Sequence, residues 1–280
     1  MRIIRALAVL LALGGVACAQ SAPSPRFEVA SIKPAAPGQR GTFIRNAPGG
    51  RLNINNMALK EMIVLAWRIQ PFQISGGPAW LESEHFDVSA KAESVPKPDE
   101  MAQMLQGLLA DRFQLMMHHE TRELSIYSLV IAKKDGKLGP KLTESKAGGC
   151  AQFDPSKPPL PPEPGKPPAL GCGGMMMGPD RLNAASVGIA ELMPVLARIL
   201  GRTVLDKTGL SGKFDISLEW SPDPSQAMQF APDGPRPPPS DATGPSIFTA
   251  LQEQLGLKLE SQKGPVEIFV IDRAEKPSEN

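Results

Sequence analysis

The chain has one tyrosine, three histidines and three cysteines in 280 residues, and its formal net charge is +1. Each scarcity excludes something. Charges this evenly matched leave no electrostatic footprint for nucleic acid or an anionic membrane, and the balance turns slightly negative once Arg2 and Arg5 are removed. The nucleophile elbow G-x-S-x-G, the zinc-protease H-E-x-x-H and the calcium loop D-x-D-x-D-G are all missing. Beyond Val16 no apolar run is long enough to cross a membrane.

What the chain does have begins at its N-terminus. Arg2 and Arg5 precede an apolar run from Ala6 to Val16 and then Ala17-Cys18-Ala19, which reads as a secretory signal over residues 1–19, cleaved before Gln20. Cleavage there leaves Cys150 and Cys172, an even pair in an oxidising compartment, and the expectation is a disulfide. The competing reading makes Cys18 a lipidated first residue, although Gly15 stands where a lipoprotein signal normally has leucine. Either way the chain is expected to be exported, to the periplasm or the outside.

Segments recur. Arg51-Leu52-Asn53 is answered by Arg181-Leu182-Asn183, and Phe86-Asp87-Val88-Ser89 by Phe214-Asp215-Ile216-Ser217. Glu120 to Lys133 is likewise answered by Glu260 to Arg273 at one constant offset. A repeat of this length implies two domains rather than a solenoid. In the first copy, strands are expected at Phe27–Ile32 and Arg51–Asn55, then a helix over Met57–Arg68 capped by Asn56. A strand at Phe86–Ala92, a helix from Pro98 or Asp99 and two short strands, Phe113–His119 and Ser125–Lys133, complete it. The second copy repeats that order with helices Ile189–Leu200 and Ser246–Leu255 and closing strands Leu257–Ser261 and Val266–Asp272. Each unit therefore reads β-α-β-α-β-β, an α+β two-layer sandwich with helices on a small mixed or antiparallel sheet. The boundaries are 20–140 for the first unit and 179–280 for the second. A proline- and glycine-rich linker over 141–178 separates them, and a second proline-rich insertion occupies 221–245.

The segments Gly201–Trp220 (GRTVLDKTGLSGKFDISLEW), Ile247–Asp272 and Phe27–Pro34 (FEVASIKP) resemble the signature of DUF3738, a family of exported proteins expanded in acidobacteria of the Solibacter type. The resemblance carries no catalytic residues. The helix-to-strand step at Ala250-Leu251 and Leu255-Gly256-Leu257 is also similar, more distantly, to the short N-terminal domain of secretins and TonB-dependent receptors. That likeness implies a periplasmic protein contact rather than an enzyme.

Chemistry-bearing residues are few, and each has a structural reading beside the functional one. His118 and His119 are neighbours on an expected strand, so they face opposite ways and do not share a metal ion without a bulge. His85 has only Glu82 and Glu84 near it. Cys172 and Met175-Met176-Met177 offer soft sulfur ligands of the kind Cu(I) takes, a reading that fails if Cys172 is bridged to Cys150. Asp87 and Asp215, and Glu120 and Glu260, hold equivalent repeat positions, which points to a shared structural task before acid–base chemistry. Lys207-Thr208 precedes its glycine, whereas a phosphate loop needs glycines before the lysine. Trp67, Trp80 and Trp220 are expected in the core. The sequence thus assigns no catalytic, cofactor-binding or metal-ligating residue. It favours a non-catalytic binding or sensing module of the cell envelope, acting on a protein or small envelope ligand through the groove between the two copies. The alternative is a hydrolase with a carboxylate pair in that cleft, acting on a polysaccharide or cell-wall substrate. If the copies share one continuous sheet, the groove vanishes and an exposed strand edge takes its place.

Overall fold

The computed structural model describes residues 25–39, 41–146, 150, 170–221 and 244–277. The signal segment with Cys18, most of the 221–245 insertion and the middle of the 141–178 linker lie outside them. Among the described residues no helix is long and apolar enough to cross a membrane.

The molecule is α+β, with three four-stranded sheets. The first half contributes β1 (Val29–Pro34), β2 (Phe43–Ala47), β3 (Arg51–Ala58), α1 (Leu59–Trp67), β4 (Ile74–Gly76), α2 (Trp80–Ser83), β5 (His85–Lys91), α3 (Pro98–Phe113) and β6 (Met116–Ile131). The second contributes β7 (Leu142–Glu144), β8 (Gly174–Met177), β9 (Arg181–Val187), α4 (Ile189–Leu200), β10 (Val204–Asp206), β11 (Phe214–Glu219), α5 (Ile247–Ala250) and β12 (Leu257–Arg273). A π-helical turn, Leu251–Leu255, continues α5.

One antiparallel sheet, ordered β1-β5-β3-β2, belongs to the first half, and another, ordered β7-β11-β9-β8, to the second. The helices form where apolar residues recur at helical spacing. On α1 these are Leu59, Met62, Ile63 and Ala66, and on α3 Leu105, Leu108, Leu109 and Phe113; all are buried. Glu100 accepts a hydrogen bond from the Lys97 amide and closes the start of α3, while Pro98 fills the position where a missing N–H costs nothing. These faces meet Leu52, Ile54, Phe86 and Val88 in the first core. The second core is built the same way from Leu192, Leu196, Leu251 and Leu255 against Leu182, Phe214, Ile216 and Leu218.

The closing strands differ from the sequence expectation. Phe113–His119 and Ser125–Lys133 are not a hairpin but one strand, β6, and the same is true of β12. They pair with each other along their whole lengths, with Leu257 opposite Ile131, Gly264 opposite Leu124 and Arg273 opposite Met116. β10 adds to β6 and β4 to β12, both in parallel. Among the described residues, every partner of β4 and β6 therefore comes from the second half of the chain. Side chains alternate in a strand, and Met117 and Ile271 enter the first core while Leu129, Leu257 and Leu259 enter the second. All five are odd-numbered, so both lobes sit on one face of a central sheet that runs through both. The notional groove between independent units is replaced by this sheet, and the lobes touch where the Gln70 side chain donates to the Pro194 carbonyl at 3.2 Å.

The ends of the expected linker are themselves strands, β7 and β8, at opposite edges of the second-lobe sheet. Cys150 and Cys172 form a disulfide with Cα atoms 5.1 Å apart. It ties the chain leaving one edge strand to the chain entering the other.

Candidate functional site

Asp87 and Asp215 do one job twice. Asn56 and Ser186 both have φ of 54°, a left-handed conformation at the ends of β3 and β9. The Asn56 amide donates to Asp87 Oδ1 at 2.8 Å and the Ser186 amide to Asp215 Oδ1 at 2.9 Å. Asn56 is thus a bulge residue and not the helix cap the sequence suggested; that position is Ala58, whose amide donates to Glu61. Asp215 also accepts from Ser145 Oγ at 2.6 Å, which anchors the end of β7. Asp215→Ala is expected to destabilise the protein by about 3 kcal/mol or more and Asp87→Ala by about 1.5–3 kcal/mol, since hydrogen bonds to a charged acceptor are worth roughly 1.5–3 kcal/mol each and leave a stranded amide when lost. Urea titration of the two variants checks both the size and the order.

The DKTGLSG segment is a turn. Asp206 Oδ1 accepts from the Thr208 amide and hydroxyl at 2.9 and 2.7 Å, and Thr208 Oγ1 accepts from the Leu210 amide at 3.1 Å. Trp80 packs on Phe86 and Phe113, whose rings lie edge to face with centroids 5.2 Å apart. Trp67 packs on the same core, and Trp220 is buried in the second.

His118 and His119 face opposite ways. His119 Nδ1 meets Glu267 Oε1 at 2.8 Å and its ring stacks obliquely on Phe269. On the other face His118 lies between two carboxylates, with Nδ1 2.8 Å from Asp272 Oδ1 and Nε2 3.3 Å from Glu120 Oε1. Arg122 Nε donates to Glu120 Oε2 at 2.8 Å and its Nη1 reaches Ser75 Oγ on β4 at 3.5 Å. Asp272 raises the His118 pKa above its ordinary value, with Glu120 helping. Arg122, with His118 second, holds Glu120 below the usual carboxylate range. Glu260, which the recurring segments match to Glu120, pairs with Lys258 at 2.7 Å. Sequence reasoning missed Asp272, because its partner stands 154 residues away.

The signs of these shifts fix a pH window. A raised His118 contributes stability that is complete below its unfolded value, about 6.5, and fades as pH rises through its folded value. A lowered Glu120 contributes above its unfolded value and fades as pH falls through its folded one. Histidine Cε1 shifts followed by NMR should place His118 above an ordinary exposed histidine, and Asp272→Asn should lower it; equal titration in the two proteins would refute the assignment.

Every carboxylate singled out in the sequence is therefore occupied by an amide, an arginine, a lysine or a histidine. Among the described residues no group of three or more histidines, cysteines or acids is arranged to hold a metal. The bridged cysteines offer no thiolate, which removes the copper reading. A cavity of about 580 Å³ lies between Lys133–Pro140 and Gln252–Gly256, and among the described residues no histidine, cysteine or serine lines it.

A smaller hollow of about 310 Å³ differs in character. It lies between strand β2 and helices α1 and α3 and is lined by Ile44, Leu52, Leu65, Val95, Met101 and Leu105 among others. Ile44 is opposite Ile54, a core residue, so it belongs to the inward face of the sheet. Yet Ile44 is 48% exposed and Phe43 63% on this edge strand, and Val95 on the far side of the hollow is 76% exposed. Among the described residues nothing pairs with the outer edge of β2.

A family model described as "Protein of unknown function (DUF3738)" matches residues 60–274. The chain belongs to the DUF3738 family. Comparison with curated proteins and with solved structures finds no match. In this DUF3738 protein the matched span covers both cores from α1 onward and the whole central sheet, while β1, β2 and β3 precede it. The DKTGLSG turn and the Leu255-Gly256-Leu257 step both lie inside the span.

Proposed function

We propose that this protein is an exported, non-catalytic contact module of the cell envelope or extracellular space, which holds another protein at the free edge of β2. The observation that carries the proposal is the combination of an unpaired strand edge with Phe43 and Ile44 exposed and an apolar hollow beside it. Natural proteins usually blunt such edges with lysine, proline or a covering element, because they template pairing with other chains. The edge strand in the corresponding place of the second-lobe sheet, β8, is fastened next to its start by Cys172. β2 carries no such fastening. Export accords with the signal-like N-terminus and with the disulfide. The likeness to secretin and TonB-receptor short domains supports a protein contact, and the recurring segments support an origin by duplication.

The test is site-specific photo-crosslinking in the native envelope. A photoreactive residue at position 44 should give one discrete adduct that disappears in an Ile44-adjacent Phe43→Asp background, while position 31 on β1 should give none. Equal labelling from both positions, or none from either, would overturn the reading.

A further inference from the structure

The β2 edge also carries chemistry that narrows its partner. Alternation along β2 places Ile44 and Asn46 on the face toward the hollow and Phe43 and Arg45 on the outer face, while Ala47 at the end of the strand also lines the hollow. Arg45 is opposite Asn53 and Arg51 opposite Ala47, so the two arginines share one register face of the β2–β3 pair, Arg51 at its end also reaching the rim of the hollow. Neither has an ion pair or side-chain hydrogen bond among the described residues. Arg68 stands on the rim of the hollow, held by Asp99 at 2.6 Å, and the lining itself contains no carboxylate. A strand added beside β2 puts alternate side chains into the hollow and against these arginines.

Resting on the edge reading above, we propose that β2 accepts an extended segment of a partner protein in which branched apolar residues alternate with acidic ones. The backbone of the segment completes the sheet beyond β2. Its apolar side chains fill the hollow between Ile44, Leu65 and Val95, and its carboxylates lie over Arg45 and Arg51. The hollow's volume of about 310 Å³ takes a few aliphatic side chains but not a helix, whose diameter with side chains is about 10–12 Å. A second copy of this chain is the poorer occupant: antiparallel pairing of two β2 strands about their middle residue sets Arg45 against its own counterpart, and like charges directly opposite are unfavourable.

The experiment uses the mature chain, residues 20–280, and two synthetic seven-residue peptides. In one, valine and isoleucine alternate with aspartate; in the other they alternate with lysine. Backbone NMR shifts and fluorescence anisotropy are recorded for each. The expected result is saturable binding of the aspartate peptide with shifts confined to residues 43–47 and the neighbourhood of Leu65 and Val95. The affinity should be at least tenfold above that of the lysine peptide, and the preference should reverse in Arg45→Glu. Arg45 is exposed, so that variant should keep the circular dichroism of the parent. If both peptides bind β2 equally, the edge contact stands and the charge selection is overturned. If neither shifts β2, the proposal falls while crosslinking from position 44 still judges the contact itself. If sedimentation shows a dimer that Phe43→Asp dissociates, the occupant is a second copy and the proposal is overturned.

Discussion

Residues 20–140, expressed alone, should fail to fold. The segment holds every helix of the first core, but among the described residues β6 has its only neighbours in β10 and β12, and β4 has its only neighbour in β12. Ile271, from near the end of the chain, also belongs to that core. Without these strands the 16-residue β6 has no ladder partner, and the fragment forfeits the burial of Ile126 and Leu129 and the Ile271 side chain of its core, roughly 1.5–3 kcal/mol for each such side chain. A domain of this size has only about 5–15 kcal/mol to lose. The expected measurement is a proton–nitrogen spectrum with collapsed amide dispersion, recovered on mixing with separately produced residues 141–280. A fragment that gives a dispersed spectrum and unfolds cooperatively by itself would show that the crossing strand is dispensable.

Gly256→Ala should be among the damaging conservative point changes, beside Gly50→Ala and Gly139→Ala. Gly256 ends the π-helical turn at φ +70°, a conformation that costs an alanine roughly 1–2 kcal/mol. A Cβ there would also lie 2.6 Å from the Gly139 amide nitrogen. Neither atom is free to move: the Gly139 amide donates to the Leu255 carbonyl, the Lys141 amide to the Gln254 carbonyl and the Ala132 amide to the Gly256 carbonyl, at 2.8–2.9 Å. Gln254 is itself held at both ends of its side-chain amide by the backbone of Glu219. Overpacking of this kind adds about 1–3 kcal/mol, for a total near 3 kcal/mol. At about 2–4 °C per kcal/mol for a protein of this size, the melting temperature should drop by roughly 10 °C. A change below about 2 °C in a thermal scan would mean that the two backbones separate more easily than their hydrogen bonds suggest.

Local rules read the helices and most of the edge-to-core alternation well. α4 begins and ends where its leucine stripe does, and α3 starts at the proline that cannot continue a preceding strand. They failed in the middle of β6 and β12. Glu120–Ser125 is polar, and Gly264-Pro265 looks like a turn, so each strand was divided in two. Only tertiary pairing resolves this. β4 reaches β12 at Phe269–Ile271 and β10 reaches β6 at Tyr127–Leu129, which leaves Pro265 in a stretch without a second neighbour, where its missing N–H costs little. β2 was missed because Phe43-Ile44-Arg45-Asn46-Ala47 shows no alternation that one buried face would impose, and the exposure of four of its five residues explains why. The same property makes it the candidate contact edge. The disulfide was readable because a signal reading that removes Cys18 leaves an even pair of cysteines. The charge cluster around His118 was not, since nothing local joins His118 to Asp272.

The Cys150–Cys172 bridge has a consequence for how the chain responds to proteases. Residues 151–171 lie inside a covalent ring whose closure is a sulfur–sulfur bond between the chain leaving β7 and the chain entering β8. A cut at any peptide bond within that ring opens it without dividing the molecule, and both edge strands keep their attachment. Such a nick is silent on a non-reducing gel and separates two fragments only when a reductant is added. In an environment rich in proteases and poor in thiols, the proline-rich segment can be lost piecemeal while the two halves that share the central sheet stay together.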